Sequence, residues 1–108
     1  MATGGFKTRA QAMDAVGSGA VDGVGIARAL VLDPQLATAW LTGDGRDPVF
    51  PRFESPPPGA ITAWHTLRLT ALGEDREAAF DLELPDAVRI YEERDAQRCS
   101  RWRDAFSR

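Results

Sequence analysis

Apolar positions in the first forty residues recur with two alternating spacings. Ala12, Met13 and Val16 fall at helical intervals, and Thr8 stands just ahead of them with Gln11 three residues on. A threonine N-cap answered by glutamine at the third helical position is a capping box, so the spacing predicts a helix of about three turns opening after Thr8. Gly17 and Gly19 stop it, because glycine takes the left-handed conformation of a helix C-cap. Before that helix, Met1–Phe6 reads as the tail of a short strand running into a Gly4-Gly5 turn. After it, Val21-Asp22-Gly23-Val24-Gly25-Ile26 reads as a second strand, whose glycines point to close approach by a neighbour or ligand. Beyond Arg28, a short apolar turn reaches Asp33-Pro34, an N-cap with proline at the first helical position. The next helix carries Leu36, Ala39 and Trp40 and ends at Gly43. Residues 1–43 therefore follow the order strand, helix, strand, short helix, helix, the grammar of a parallel sheet or an α/β barrel.

The pattern changes after Gly43. Residues 44–59 hold five of the seven prolines, interleaved with Phe50 and Phe53, and predict an extended, semi-rigid connector whose aromatics dock on a surface. Residues 60–108 predict a helical extension. Its first helix carries Ile61, Trp64, Leu67, Leu69 and Leu72 and stops at Gly73. A polar turn from Glu74 to Glu83 follows, tacked down by Phe80 and Leu82. The last helix opens at Leu84-Pro85-Asp86, with Val88, Tyr91, Trp102 and Phe106 as its apolar face. Asp95–Arg98 and Asp104–Arg108 are its candidate surface pairs.

Composition narrows the classes. With 108 residues, 44% hydrophobic and 27% charged, the chain has the make-up of one globular domain. No apolar run approaches the length of a membrane span, and no secretory leader pattern opens the chain. Thirteen basic against sixteen acidic residues argue against general nucleic-acid binding. One cysteine and one histidine exclude an internal disulfide and a histidine-rich metal site. A cytoplasmic protein without membrane or nucleic-acid partners is the expectation. Two strands cannot sustain a parallel sheet unaided, so a partner is expected as well.

Gly4-Gly5-Phe6 at one strand-to-helix turn and Gly25-Ile26-Ala27-Arg28 at the next have the ingredients of a phosphate site. Glycine lets backbone N–H groups approach an anion, and arginine adds charge and a forked donor. The plainer reading is a common Gly-Gly turn and a surface arginine. Together with Thr3-Gly4-Gly5-Phe6-Lys7-Thr8-Arg9-Ala10-Gln11-Ala12, the block Gly19-Ala20-Val21-Asp22-Gly23-Val24-Gly25-Ile26-Ala27-Arg28-Ala29-Leu30 and Asp33-Pro34 resembles the C-terminal end of the Old Yellow Enzyme family. These are FMN-dependent NAD(P)H oxidoreductases of ene-reductase type, built on a TIM barrel.

The resemblance implies the C-terminal fragment of a (β/α)8 TIM barrel, strands seven and eight with their helices, plus the helical extension. It places Gly4, Gly5 and Phe6 in one FMN-phosphate turn and Gly25, Ala27 and Arg28 in the other. The N–H groups of Gly5 and Ala27 would face phosphate oxygens, and Arg28 would pair with the phosphate and edge the flavin. Many family members have glycine where this chain has Ala27. Substrate-activating groups and six strands would precede Met1, so the implied partners are the remainder of the barrel or a homo-oligomer partner. The resemblance implies NAD(P)H as reductant in the complete enzyme, weak or absent FMN binding by this chain alone, and no catalytic residue within it.

Outside those turns the expectations are plain. His65 reads as a half-buried or surface helix position, Tyr91 as packing, and Cys99 as a bystander between Arg98 and Arg101. Asp81, Glu83 and Asp86 favour a helix start and no metal. Two alternatives stand beside the oxidoreductase reading. One is a non-catalytic, self-associating protein-interaction module that uses Trp64, Tyr91, Trp102 and Phe106. The other is a bare phosphate-binding scaffold that holds FMN weakly through Gly5 and Arg28.

Overall fold

A computed structural model describes residues 1–107. The chain runs β1 (Ala2–Thr3), α1 (Arg9–Gly17), β2 (Val24–Gly25), α2 (Arg28–Leu32), α3 (Leu36–Leu41), α4 (Ala60–Gly73), a 3₁₀ turn (Glu77–Ala79) and α5 (Leu84–Phe106). It divides into two compact units, Met1–Arg52 and Phe53–Arg108. Among the described residues, no helix is long and apolar enough to cross a membrane.

The expected barrel fragment is not what forms. The described residues are mostly helical, with five α-helices and a single two-stranded sheet. Each strand has only two residues, so strands seven and eight of a (β/α)8 barrel are absent from this architecture. The cause lies in the glycines. Gly4 and Gly5 take φ of 95° and 79° and end β1 at once. The second strand is expected from Val21 to Ile26, but only Val24 and Gly25 pair with β1; Val21 N–H is bonded back to Ala15 O at 3.4 Å, and Gly23 contributes only its carbonyl, which accepts from Ala2 N–H at 3.1 Å.

In the first unit the two strands are parallel, with Ala2 opposite Val24 and Thr3 opposite Gly25. The capping box forms in full: Thr8 Oγ1 accepts from Gln11 N–H, while Gln11 Oε1 accepts from Thr8 N–H. At its other end, Gly19 takes φ of 77° and its N–H reaches Val16 O. The next helix begins two residues later than Asp33-Pro34 suggested. Asp33 still caps locally, accepting from Gln35 N–H through Oδ1 and from Leu36 N–H through its backbone carbonyl. Buried apolar residues in this unit are small except for one leucine: Ala12, Ala29, Leu36 and Ala39.

Polar bonds tie the following loop onto this small core. Arg46 forks onto Asp33, with Nε–Oδ2 at 2.8 Å and Nη2–Oδ1 at 3.1 Å. Trp40 Nε1 donates to Arg46 O at 2.6 Å, and Asp47 Oδ1 accepts from Arg9 N–H at 2.8 Å. These bonds fasten residues 44–47 to α1 and α3. Lys7 Nζ lies 5.3 Å from the centre of the Phe50 ring.

The second unit is an α4–α5 pair closed by residues 74–83. Ala60, Ala63, Trp64, Leu67 and Ala71 are buried along α4, and Ala87 on α5. Trp64 is the centre. Phe53 and Phe80 approach it edge-on at 5.6 and 5.2 Å, and its Nε1–H donates to Leu82 O at 2.9 Å. Gly73 is the last helical residue of α4 and not its left-handed cap. Asp75 takes that conformation, φ 54°, while Arg76 N–H returns to Ala71 O at 2.7 Å. Leu69, expected on the apolar face, is 53% exposed.

The inner face of α5 differs from the expected one by about a third of a turn. Ala87, Ile90 and Arg94 are its most covered positions beyond Leu84 and Val88, and Arg94 Nη1 donates to Thr70 Oγ1 at 2.9 Å. Tyr91, Trp102 and Phe106 are exposed. Ion pairs on α5 among the described residues join Arg89 to Asp86 and Glu93, not Asp95 to Arg98. The Asp104–Arg108 pair lies outside the described residues.

Candidate functional site

Parallel register determines where the two glycine turns go. With Thr3 opposite Gly25, residues 4–6 and 26–28 leave the sheet at the same carboxyl edge. The left-handed φ values of Gly4 and Gly5 let the chain reverse immediately after β1, and a Cβ built on either glycine meets nothing within 4 Å. Phe6 follows, half-buried.

Gly25 serves a different purpose. A Cβ there would fall 2.6 Å from Thr3 Oγ1, so glycine at this position allows the neighbouring strand's threonine side chain to lie across it. Ala27 is exposed at the N-cap of α2, and its carbonyl accepts from Leu30 and Val31 N–H. Arg28, the first residue of α2, is also exposed. The six sequence-chosen residues thus lie in the turn that leaves β1, at the last residue of β2 and at the N-cap and first residue of α2.

The end of α1 is already supplied with acceptors. Gln11 Oε1 takes the N–H groups of Lys7 and Thr8, at 2.8 and 3.2 Å, and Asp47 takes that of Arg9. The N–H groups of residues 7–9 are thus already paired, and the Gly4–Phe6 turn lies ahead of them. Sequence reasoning missed Asp47, together with the Arg46–Asp33 fork. Its only local signal was the run of aspartates at 33, 44 and 47 flanking one arginine.

These residues fit a phosphate group. The space above Gly4 and Gly5 is open, a guanidinium stands at the next turn, and residues 4–6 and 25–28 contain no carboxylate.

The remaining candidates lie in the second unit. His65 is buried, at 6% exposure, and not at a half-buried or surface position. Its Nδ1 is 2.8 Å from Ile61 O, one turn back along α4, and its ring meets Trp64 edge-on at 4.9 Å. Cys99 is exposed, as are Asp81, Glu83 and Asp86. A cleft of about 400 Å³, unmarked by any sequence motif, opens among Leu67, Phe80, Asp81, Ile90 and Arg94. No family model, curated protein or solved structure matches the chain.

Proposed function

We propose that the first unit supplies the FMN phosphate-binding turns of an NAD(P)H-dependent oxidoreductase of the Old Yellow Enzyme type, and is inactive without the rest of that enzyme. The supporting observation is the register of β1 and β2, which brings the Gly4-Gly5-Phe6 and Ala27-Arg28 turns out of one sheet edge. In this reading the N–H groups of Gly5 and Ala27 point to phosphate oxygens, and Arg28 neutralises the dianion. Bound FMN supplies hydride transfer from NAD(P)H to an activated alkene or a related acceptor. The chain's own task is to anchor one end of the cofactor.

Amide resonances of the isotope-labelled chain test this during titration with FMN, riboflavin and inorganic phosphate. FMN and phosphate should move Gly4, Gly5, Phe6, Ala27 and Arg28 saturably and weakly. Riboflavin, which lacks the phosphate, should leave them in place. Arg28→Ala should weaken FMN binding without unfolding the chain. Equal shifts with riboflavin, no FMN-dependent shift at these amides, or equal affinity in the folded variant would overturn the assignment.

A further inference from the structure

The C-terminal half of α5 is left uncovered by the described residues of its own unit. From Asp95 to Phe106 every residue is exposed, over about 18 Å of helix at 1.5 Å per residue. A helix segment of this length is marginal in water unless a neighbour covers one side. It nevertheless carries Trp102 at 64% exposure and Phe106 at 69%, their rings 5.1 Å apart. Tryptophan, tyrosine and arginine are the residues most enriched where protein interfaces gain their energy.

The residues around those aromatics form a stripe. Val88, Tyr91, Asp95, Arg98, Trp102 and Ala105 follow one another at steps of three and four, the spacing of a helix–helix seam. The stripe lies beside the face that packs on α4. Val88, Tyr91 and Asp95 each come one residue after Ala87, Ile90 and Arg94, a rotation of about 100°. The stripe therefore borders the α4-facing side, with Val88 half-buried and the residues from Tyr91 onward exposed.

We propose that this stripe is a self-association surface, on which α5 pairs antiparallel with α5 of a second copy about a two-fold axis between Ala96 and Gln97. The stripe maps onto itself in that register. Tyr91 meets Trp102 of the partner subunit, Val88 meets the partner's Ala105, and Asp95 meets the partner's Arg98. The axis repeats each pairing. Charge selects this arrangement over its competitors. A parallel, in-register pair would set Asp95 on the partner's Asp95 and Arg98 on the partner's Arg98. An antiparallel pair shifted by seven residues would leave Asp95 facing the partner's Tyr91 or the partner's Ala105. Only the proposed register gives both charges opposite partners and both large rings aromatic ones. Central charges flanked by aromatics specify register, as polar seam positions do in coiled coils.

Sedimentation of the full chain and three variants tests the pairing, with helical circular dichroism confirming that each stays folded. The wild-type chain should show a concentration-dependent dimer. Arg98→Asp and Asp95→Arg should each lose it, because either change sets like charges face to face. The double variant carrying both changes should regain the dimer, since the charges again oppose one another. An equimolar mixture of the two single variants should form a heterodimer for the same reason. A wild-type chain that stays monomeric, a folded single variant that keeps the dimer, or a folded double variant that fails to regain it would each overturn the proposal.

Discussion

Residues 1–52 and 53–107 solve the same problem of a small core by opposite means. The first unit buries three alanines and a leucine, and depends on polar links in which Arg46, Asp33, Trp40 and Asp47 fasten one loop to two helices. The second builds around one tryptophan, with two phenylalanine edges, an imidazole edge and a backbone acceptor on it. Apolar burial is non-directional and survives salt, whereas exposed polar links are directional and weaken with it. The candidate anion site lies on the unit held by direction, where small glycine turns set backbone positions. The aromatic unit contributes stability and, on α5, an exposed seam.

The largest effect that tests this contrast is at Trp64. Trp64→Ala removes the hub and leaves Leu82 O without its indole donor. A loss of about 3–5 kcal/mol is expected in the second unit. Urea unfolding followed through amides of α4 and α5 measures it. A loss below about 1 kcal/mol would show that the two helices hold each other without their aromatic centre.

Next in size is Gly25→Ala. The added methyl would lie 2.6 Å from Thr3 Oγ1, so β1 and β2 must part or the threonine must turn. The cost expected for such overpacking is about 1–3 kcal/mol, read from the first unit's amides. Combining it with Thr3→Ala removes the clashing atoms and should restore most of the loss. Failure of that rescue would mean that the strand pairing needs glycine for its backbone and not for the space.

Local bonds were legible in the sequence, whereas long-range ones were not. Thr8 and Gln11 stand three residues apart, and both bonds of their capping box form. Pro85 marks the start of α5 because a missing N–H costs nothing in the first turn. The Gly4-Gly5 turn was readable because only glycine takes two successive left-handed conformations cheaply. Strand length was not readable: Val and Ile suit a strand, but ladder bonds depend on where Ala2 and Val21 find partners. The inner face of α5 differs by one position, since Ala87 is buried and Arg94, half-buried, donates to Thr70 on α4 while the larger Tyr91 stays out. Asp47 reaches Arg9 from 38 residues away, a bond that no periodicity announces.

The smallest expected effect is the most diagnostic of how the first unit is held. Asp33→Asn keeps an oxygen able to accept from Gln35 N–H but removes the charge facing Arg46. Asp33, through its hydrogen bond and charge, and more weakly Asp44, raise the Arg46 guanidinium above its ordinary pKa. A raised pKa stabilises the folded state fully below the ordinary value, and the stabilisation fades only as pH climbs past it into strong alkali. Across the neutral range pH is therefore no lever on Arg46, and ionic strength is. The variant should unfold at a slightly lower urea concentration than wild type at low salt, and at the same concentration near 1 M salt, where screening acts within about 3 Å. The second unit's transition should not respond to the substitution at either ionic strength. A difference that persists undiminished in high salt would mean that the Asp33–Arg46 contact holds its loop by shape and hydrogen-bond geometry, and that the two units differ less in kind than their cores suggest.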